Sequence, residues 1–337
     1  MSLVVHFLNV GQGDCTIIEF PSGRVGIVDI DNLRALDQDT ARELLAAYHE
    51  SFDYLSLLAR GFPSWYLDEA FLRWKSQELT DPLAYYDAHI GPSTNIFRFV
   101  VTHPDMDHMT GLHRLHAQDG RKGIINFWHT GSHTFNLDDT TDEEWENCRF
   151  DKRDWETYKS LVRSADNPKG LKRFQGNTGS FWSEDGIELW APTPELERLA
   201  VAQGAPNVLS MVLKIGYMGR TIVLGGDATA EESWPAIMDR VGKIDVLKAS
   251  HHGRESGYYW PAVKQMAPWL TITSVGQKAY DATEKYRRDS DYTVSLRDAG
   301  DIKIIVRDDG VIEYPSAIEA HWMLNSTRGE ASAFKVG

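Results

Sequence analysis

The chain has 337 residues, of which 42% are hydrophobic and 25% charged, and its formal net charge is −14. This length and balance are typical of a soluble globular protein with one large α/β domain or two ordinary ones, and they exclude a disordered chain. The negative charge disfavours a protein that coats nucleic acid, which needs a basic field. It does not exclude a nuclease, because bound metals or a local basic strip can hold phosphate.

The two cysteines, Cys15 and Cys148, form no CxxC pair. The sequence therefore predicts neither a disulfide framework nor a thiolate zinc site. The first residues lack a basic n-region, and no apolar run approaches the roughly 20 residues that span a bilayer. We therefore expect a cytoplasmic protein with no membrane segment.

The first third of the sequence predicts strands followed by helices. Apolar runs at 3–10, 15–20 and 24–30 are separated by the turn sequences GQGD and PSG, which predicts an antiparallel meander. From about 34 to 92 the apolar residues take helical spacing, which predicts a helical insertion. A continuous apolar run at 96–103 then predicts a buried strand.

The rest of the chain alternates between further strands and polar segments. Residues 109–118 predict a helix, and the polar stretch at about 131–184 predicts a second insertion with some helix. Residues 231–242 predict another helix. The remaining apolar runs predict strands at 123–130, 186–193, 208–217, 220–228, 244–253, 271–276 and 301–315.

The sequence THPDMDHMTGL at 102–112 carries four side chains of metal-ligand type. His103 and Asp105 alternate, so an extended segment directs both to one side. Asp107 and His108 are adjacent, at the mouth of the predicted helix. Four nitrogen and oxygen ligands within six residues fit a divalent ion such as Zn²⁺ or Mn²⁺. The alternative is a polar turn capped by histidine.

Two further strand ends carry the same residue types. Asp227, in GGDA, follows the apolar run at 220–228, where a carboxylate needs a partner. His251 and His252, in SHHG, follow the run at 244–253. Because residues at one edge of a sheet can converge, the sequence predicts one metal site assembled from three strand ends.

The sequence resembles the metallo-β-lactamase superfamily, and more narrowly its ComEC-like branch, in five segments taken in order: FLNVGQGDCTIIEF, VDI, THPDMDHMTGL, NVLSMVLKIGYMGRTIVLGGDA and DVLKASHHG. The resemblance spans residues about 4–276, with the two insertions between the segments. It implies an α/β fold, a four-layer αββα metallo-β-lactamase sandwich with two insertions, in a single domain over residues 1–337.

The resemblance also implies a pair of divalent metal ions, Zn²⁺ or Mn²⁺. By this resemblance His103 and Asp105 bind the first metal, and Asp107 and His108 bind the second. Asp227 then bridges the two metals. Most of the superfamily has histidine where this chain has Asp105, and the aspartate is typical of the ComEC-like branch.

One histidine of SHHG would complete the second site by the same resemblance. We favour His251 over His252 for that place. The superfamily usually supplies another histidine just before the strand at 208–217, where this chain has Pro206 and Asn207. The first site is therefore expected to have the weaker ligand set, with Asn207 beside it.

Other residues near the motifs have a supporting role or an open one. Asp29 matches the acid that braces the ligand turn through hydrogen bonds. Asp14, in GQGD, is either a hairpin turn residue or a group near the metals. His129 and His133, in WHTGSH, either reach the site from the adjacent strand end or lie in a solvated loop.

The reaction that the resemblance implies is hydrolysis by a water or hydroxide that two metals activate. Asp107 would orient this nucleophile, and His252, if it is not a ligand, would protonate a leaving oxygen or hold a phosphate oxygen. Arg254 follows SHHG directly and can add a cation. Within this class we expect a phosphodiesterase or nuclease that acts on DNA or RNA.

Basic residues between 152 and 173, including Lys172 and Arg173, alternate with aromatic ones. Such a stretch either holds a nucleic-acid strand by charge and stacking or forms a solvated helix face.

Two other functions remain open at this stage. A pocket roofed by the first insertion would favour a hydrolase of small molecules, such as a nucleotide, a cyclic nucleotide or a lactone. The second alternative is a regulatory module that binds a protein partner through the insertions, for which the acidic run 138–146 is suited.

Overall fold

The computed structural model describes residues 1–118, 123–131, 137–275 and 281–315 of the chain. Within these ranges the strands are β1 (Leu3–Phe7), β2 (Thr16–Glu19), β3 (Val25–Val28), β4 (Ile30–Asp31), β5 (Ile96–Val100), β6 (Met109–Thr110), β7 (Ile124–His129), β8 (Lys169–Lys172), β9 (Ile187–Ala191), β10 (Val212–Tyr217), β11 (Arg220–Leu224), β12 (Val246–Lys248), β13 (Leu270–Thr273), β14 (Tyr292–Ser295), β15 (Ile302–Val306) and β16 (Ile312–Glu313).

The α-helices of the same ranges are α1 (Gln38–His49), α2 (Phe52–Ala59), α3 (Ser64–Gln77), α4 (Pro82–His89), α5 (Asp142–Asn147), α6 (Lys152–Arg163), α7 (Ser180–Glu184), α8 (Pro194–Gln203), α9 (Ser233–Ala236), α10 (Trp260–Met266), α11 (Thr283–Asp289) and α12 (Leu296–Ala299). Short 3-10 turns cover Met106–His108, Pro206–Leu209, Ser250–Gly253 and Glu255–Gly257, and a π-helical turn covers Arg114–Gln118. None of these helices is long and apolar enough to cross a bilayer.

The larger sheet has eight strands in the order β16-β15-β1-β2-β3-β5-β7-β8. Its first strands confirm the predicted meander, because β1, β2 and β3 are antiparallel neighbours. The other half is parallel, from β3 through β5 and β7 to β8. The carboxyl ends of β3, β5 and β7 therefore lie side by side at one edge of the sheet.

The second sheet has six strands in the order β14-β13-β12-β11-β10-β9. Strands β9, β10 and β11 are antiparallel, whereas β11, β12, β13 and β14 are parallel. Leu224, the last residue of β11, lies opposite Lys248, the last residue of β12. The segments GGDA and SHHG thus leave the second sheet at the same edge.

The two sheets pack face to face around a core to which both contribute, with Phe7 from the larger sheet and Leu213 from the smaller among its buried residues. A second core lies on the outer face of the larger sheet and includes Trp155 of α6, and a third on the outer face of the smaller sheet includes Val263 of α10. The layers are therefore helix, sheet, sheet, helix, the four-layer αββα sandwich that the sequence resemblance implies.

Helices α1 to α4 lie between β4 and β5, where the sequence predicts the helical insertion. Their starts follow ordinary capping rules, since Asp37, Ser51 and Asp81 each accept a hydrogen bond from a backbone N–H of the first turn. Arg297 of α12 donates to Glu43 of α1 at 2.9 Å, which ties the insertion to the sandwich.

The same insertion exposes several large aromatic side chains. Phe52, Trp65 and Trp74 are 84%, 66% and 51% exposed. Large apolar side chains that are exposed close together are typical of surfaces that bind another molecule. A protein partner bound through this insertion stays a prediction.

The second predicted insertion contributes to the sandwich itself. Strand β8 extends the larger sheet, with Lys169 opposite Asn126, and α6 buries Trp155, Tyr158 and Leu161 in the core outside that sheet. The sequence predicts some helix in this segment but no strand, so β8 is an addition to that prediction. Residues 132–136 of this segment, including His133, lie outside the described residues.

The helix predicted over 109–118 is wrong for its first half. Residues 109–110 form strand β6 and pair in parallel with β4, Ile30 opposite Met109. Gly111 then turns the chain with a φ of +97°, and its N–H donates to the Asp154 carboxylate at 3.0 Å. A strand of two residues is too short to show the alternation of apolar and polar residues by which a strand is predicted.

Candidate metal centre

Side chains of metal-ligand type from both sheets meet at one edge of the sandwich. The turn after β5 carries His103, the turn after β11 carries Asp227, and the turn after β12 carries His252. The sheets are joined at this edge, because the Met211 N–H donates to the Thr102 carbonyl at 2.9 Å. Groups far apart in the sequence are thereby held in one place.

The turn after β5 presents two buried histidines and two half-buried carboxylates. His103 and His108 are fully buried, Asp105 precedes the 3-10 turn Met106–His108, and Asp107 lies within it. The Asp105 carboxylate accepts the Met106 N–H at 2.7 Å and so caps that turn. Among the described residues Asp105 joins none of the close groups of ligand atoms, so its place at the first metal stays a prediction.

Asp227 lies between the histidines. Its Oδ1 is 3.2 Å from His108 Nε2, and its Oδ2 is 3.9 Å from His103 Nε2. The same Oδ2 is 3.5 Å from Nε2 of both His251 and His252. The two oxygens of one carboxylate thus face different histidines, as a bridging ligand requires.

Gly226 is needed for this placement. Its φ is +49°, and a Cβ there would lie 2.3 Å from Ser210 Oγ. That hydroxyl oxygen accepts the Asp227 N–H at 2.7 Å. A side chain at position 226 would therefore displace the hydroxyl that fixes Asp227.

The two histidines of SHHG occupy left-handed backbone, with φ of +51° for His251 and +61° for His252. Non-glycine residues rarely adopt this region and concentrate at functional sites. His252 is buried, with Nε2 3.3 Å from Asp107 Oδ2, whereas the His251 side chain is 21% exposed. The His252 ring directs its Nε2 into the carboxylates and not outward to a leaving group.

Among the described residues, three groups of side chains bring their ligand atoms within 4.8 Å of one another: His103 with His108 and Asp227, Asp107 with His108 and His252, and Asp14 with Asp227 and His252. In the same part of the chain, His103 Nε2, His108 Nε2 and Asp227 Oδ1 are buried without a well-aligned hydrogen bond, although the last two atoms lie 3.2 Å apart as an ion pair. Unsatisfied buried atoms of this kind are costly. Divalent cations would satisfy all three, so these residues fit a metal pair.

The charges of the cluster point the same way. Burial lowers the pKa of His103 to about 3, which leaves a neutral ring with a free lone pair. Burial also raises the pKa of Asp105 to about 6, with Asp107 adding to the effect. At His252 burial opposes the charge, but Asp227 and Asp14 outweigh it and raise the pKa to about 10. The carboxylates thus attract positive charge, which protons or a divalent cation can supply.

Asp29 holds the ligand turn from beneath. Its Oδ1 accepts the Thr102 N–H at 2.8 Å, and its Oδ2 accepts the Thr102 hydroxyl at 2.8 Å. His108 Nδ1 lies 2.8 Å from the same Oδ2. Nδ1 therefore donates to Asp29. Burial opposes a charge on His108, but Asp227 and Asp29 outweigh it and raise the pKa of the ring well above its usual value, so a metal bound at Nε2 would displace the proton that faces Asp227.

Asp29→Asn is expected to weaken metal binding about 10- to 100-fold, because it removes the charge that fixes the His108 ring while nearly preserving the shape of the side chain. Calorimetric titration of metal-free protein with Zn²⁺ or Mn²⁺ measures this change. Asp53→Asn, at an exposed position of α2, is the matched control and should bind metal as the unaltered chain does. Unchanged affinity in Asp29→Asn would show that the brace has no such role.

Asp14 reaches the site through a buried ion pair that the sequence did not reveal. Lys248 Nζ donates to Asp14 Oδ1 at 2.5 Å, and Ser274 Oγ donates to the same oxygen at 2.7 Å. His252 Nδ1 lies 3.5 Å from that oxygen. The local signal for Lys248 is a charged residue in the apolar run DVLKAS, a place where an unpaired charge is costly.

The other predicted residues lie at varying distance from this cluster. Asn207 Nδ2 is 3.4 Å from His251 Nε2. Arg254 is half-buried. Burial is the main cause that lowers the pKa of His251, and the charge of Arg254 lowers it further. Lys172 pairs with Glu197.

The remaining basic and histidine candidates have other neighbours. Arg173 stacks over Trp128 and Trp182 at 5.2 and 5.3 Å. Among the described residues no hydrogen bond or ion pair joins Lys172 or Arg173 to the ligand cluster. His129, at the end of β7, is buried one strand away from the turn after β5.

No family model and no curated protein matches this sequence. Among solved structures, the metallo-β-lactamase fold protein YhfI from Bacillus subtilis is 8% identical with a TM-score of 0.42, over 93% of this chain and 100% of that one. Igni18, a metallo hydrolase from Ignicoccus hospitalis, is 10% identical with a TM-score of 0.44, over 93% and 98%. CmlA, a diiron β-hydroxylase from Streptomyces venezuelae, is 12% identical with a TM-score of 0.39, over 85% and 49%.

At these identities and TM-scores the three structures say nothing about the reaction of this chain. Its fold is given by its own four layers and strand order.

Proposed function

We propose that this chain is a metal-dependent phosphodiesterase, with DNA or RNA as its substrate. The observation that carries the proposal is the buried cluster around Asp227, in which His103 Nε2 and His108 Nε2 face the two oxygens of one carboxylate and neither nitrogen has a well-aligned hydrogen bond to a described residue. A cluster built only for stability would pair these atoms or replace them with apolar groups.

A bound pair of divalent ions, Zn²⁺ or Mn²⁺, supplies the activation of water and the neutralisation of charge on phosphate oxygens. The chain's own residues set the geometry. Asp107 is half-buried at the mouth of the site, so its carboxylate can both ligate and orient the attacking water. The proton-donor role considered for His252 does not fit its ring, whose nitrogens face Asp14 on one side and Asp107 and Asp227 on the other.

A cationic cavity beside the ligand turn favours phosphate as the substrate group. The cavity has a volume of about 230 Å³ and is lined by Thr110 and Gly111, which directly follow the turn, by three arginines and by two aspartates, so its net charge is positive by one: Arg114, Arg149, Arg153, Asp151 and Asp154. Guanidinium groups suit phosphate because their N–H groups match its oxygens in pairs.

Arg149 is the arginine of this cavity that is best placed to bind substrate. Arg114 pairs with Asp81, and Arg153 with Asp151. Arg149 makes no ion pair with a described residue. It is also close enough to the centre for its charge to lower the pKa of Asp31, which burial and then Asp107 raise to about 7.

The proposed function is tested by incubating purified protein with single- and double-stranded DNA and RNA, with Mn²⁺, Zn²⁺ or chelator, beside Asp107→Ala. Cleavage that needs metal and is lost in the variant is the expected result. Two bound metals with cleavage of a cyclic or linear nucleotide alone would instead indicate a small-molecule phosphodiesterase. A chain that binds no metal would contradict the proposal.

Arg149→Ala is expected to raise KM for an oligonucleotide about tenfold, with little change in kcat. The reason is that the side chain contacts a phosphate that does not react, so its loss weakens substrate and transition state alike. Arg149→Lys should recover part of the affinity, since it keeps the charge without the paired N–H groups.

Arg198→Ala, on the exposed surface of α8, is the control and should leave KM unchanged. A fall in kcat with constant KM in Arg149→Ala would place the side chain at the reacting phosphate and refute this role.

A further inference from the structure

The neighbouring histidines of SHHG have different surroundings although they face the same carboxylate. His252 groups with Asp107 and His108, and all three ligand atoms lie within 4.8 Å of one another. His251 belongs to none of the groups found among the described residues, and it approaches Asp227 from the more exposed side. The two rings therefore differ in their neighbours as well as in their burial.

The hydrogen bonds of His251 fix its ring in a ligand-like orientation. Its Nδ1 lies 2.7 Å from Ser256 Oγ, and its Nε2 lies 3.4 Å from the Asn207 amide nitrogen. An amide nitrogen can only donate, so Nε2 is the acceptor and the ring proton is on Nδ1. This Nε2 lies 3.5 Å from Asp227 Oδ2, and a metal ion bound there would take the lone pair that the Asn207 amide contacts.

Asp227 Oδ2 also lies 3.9 Å from His103 Nε2 and 3.5 Å from His252 Nε2. The SHHG rings differ in their other contact, since His252 Nε2 lies 3.3 Å from Asp107 Oδ2. His103 Nε2 has no hydrogen-bond partner among the described residues. The backbone supports the arrangement, since the His251 N–H donates to the Gly226 carbonyl at 2.8 Å and joins the SHHG turn to the turn that carries Asp227. The left-handed φ of His251 is strained for a residue with a side chain and is held by these contacts.

We propose that the two histidines serve different metals. His251 completes the site formed by His103 and Asp227, and His252 completes the site formed by Asp107, His108 and Asp227. The inference rests on the proposed function, which requires a metal pair. It assigns His251 to the first site, where the sequence analysis assigned it to the second and left the first with Asn207.

The test is the metal content of three variants after dialysis against Zn²⁺ or Mn²⁺, by elemental analysis of folded protein. The unaltered chain should hold two ions and His251→Ala one. Adding Asn207→His to His251→Ala should restore the second ion, because the Asn207 amide lies beside His251 Nε2 and an imidazole there reaches the same place. His49→Ala, a half-exposed histidine of α1, is the control and should hold two ions.

Retention of both ions, or loss of both, in folded His251→Ala overturns the assignment to separate sites. Absence of metal from the unaltered chain overturns the proposed function instead, so the two failures are distinguishable. If His251→Ala does not fold, the unaltered chain still decides the question. Zn²⁺ should protect His251 from diethyl pyrocarbonate in peptide mass mapping by at least about tenfold, and equal reactivity with and without Zn²⁺ overturns the inference.

Discussion

Lys248→Met is expected to lower the free energy of unfolding by about 3 kcal/mol, because it removes the nearer of the two positive groups beside the buried Asp14 carboxylate and leaves only the His252 ring, whose Nδ1 lies 3.5 Å from Asp14 Oδ1. Both side chains are more than nine-tenths buried, and Lys248 Nζ lies 2.5 Å from Asp14 Oδ1. The Ser274 hydroxyl remains on that oxygen but carries no charge. Urea unfolding of metal-free protein, followed by circular dichroism, measures the change.

Two variants separate the lost ion pair from a general effect of the substitution. Lys303→Met removes an exposed lysine from a strand and should change stability by less than about 0.5 kcal/mol. Asp14→Leu combined with Lys248→Met removes both charges and should recover much of the loss, since apolar groups can replace a buried pair at little cost. A loss below about 1 kcal/mol in Lys248→Met alone would mean that water reaches Asp14.

The strands of this fold could be predicted because most are buried runs with turn residues at both ends. The runs at 3–10, 96–103 and 208–217 contain β1, β5 and β10, each within a few residues. The predicted helix over 231–242 is reduced to α9, four residues long. The apolar residues of this segment, including Trp234 and Ile237, pack into the core on the outer face of the smaller sheet. This packing outweighs the helical spacing of apolar residues in the sequence.

The ligand residues could be named from the sequence, but their partners could not. Asp14 and Lys248 are 234 positions apart, and only the order of strands brings them together. The left-handed backbone of His251 and His252 has no local signal beyond the following Gly253. Arg149 lies in the polar segment at about 131–184, and only the folded chain brings it into one cavity with Thr110 and Gly111.

Asp227→Ala is expected to abolish metal-dependent turnover, by about 10³-fold or more, and to remove the stabilisation that metal confers. The carboxylate faces His108 through one oxygen and His103, His251 and His252 through the other, so its loss affects both proposed sites. With Zn²⁺ at a hundred times its Kd, the unaltered chain should gain about 2.7 kcal/mol of stability, and the variant almost none.

Asp227→Asn distinguishes charge from shape in this result. The amide keeps the volume of the side chain and one oxygen acceptor, so the variant should fold, yet it can no longer neutralise two cations. Metal stabilisation should therefore fall in Asp227→Asn almost as far as in Asp227→Ala, whereas Asp239→Ala, at a site 74% exposed, should behave like the unaltered chain. If Asp227→Asn retained full metal stabilisation and turnover, the carboxylate would be a structural group, and the metals would have to be held by the turn at 103–108 together with His251 and His252.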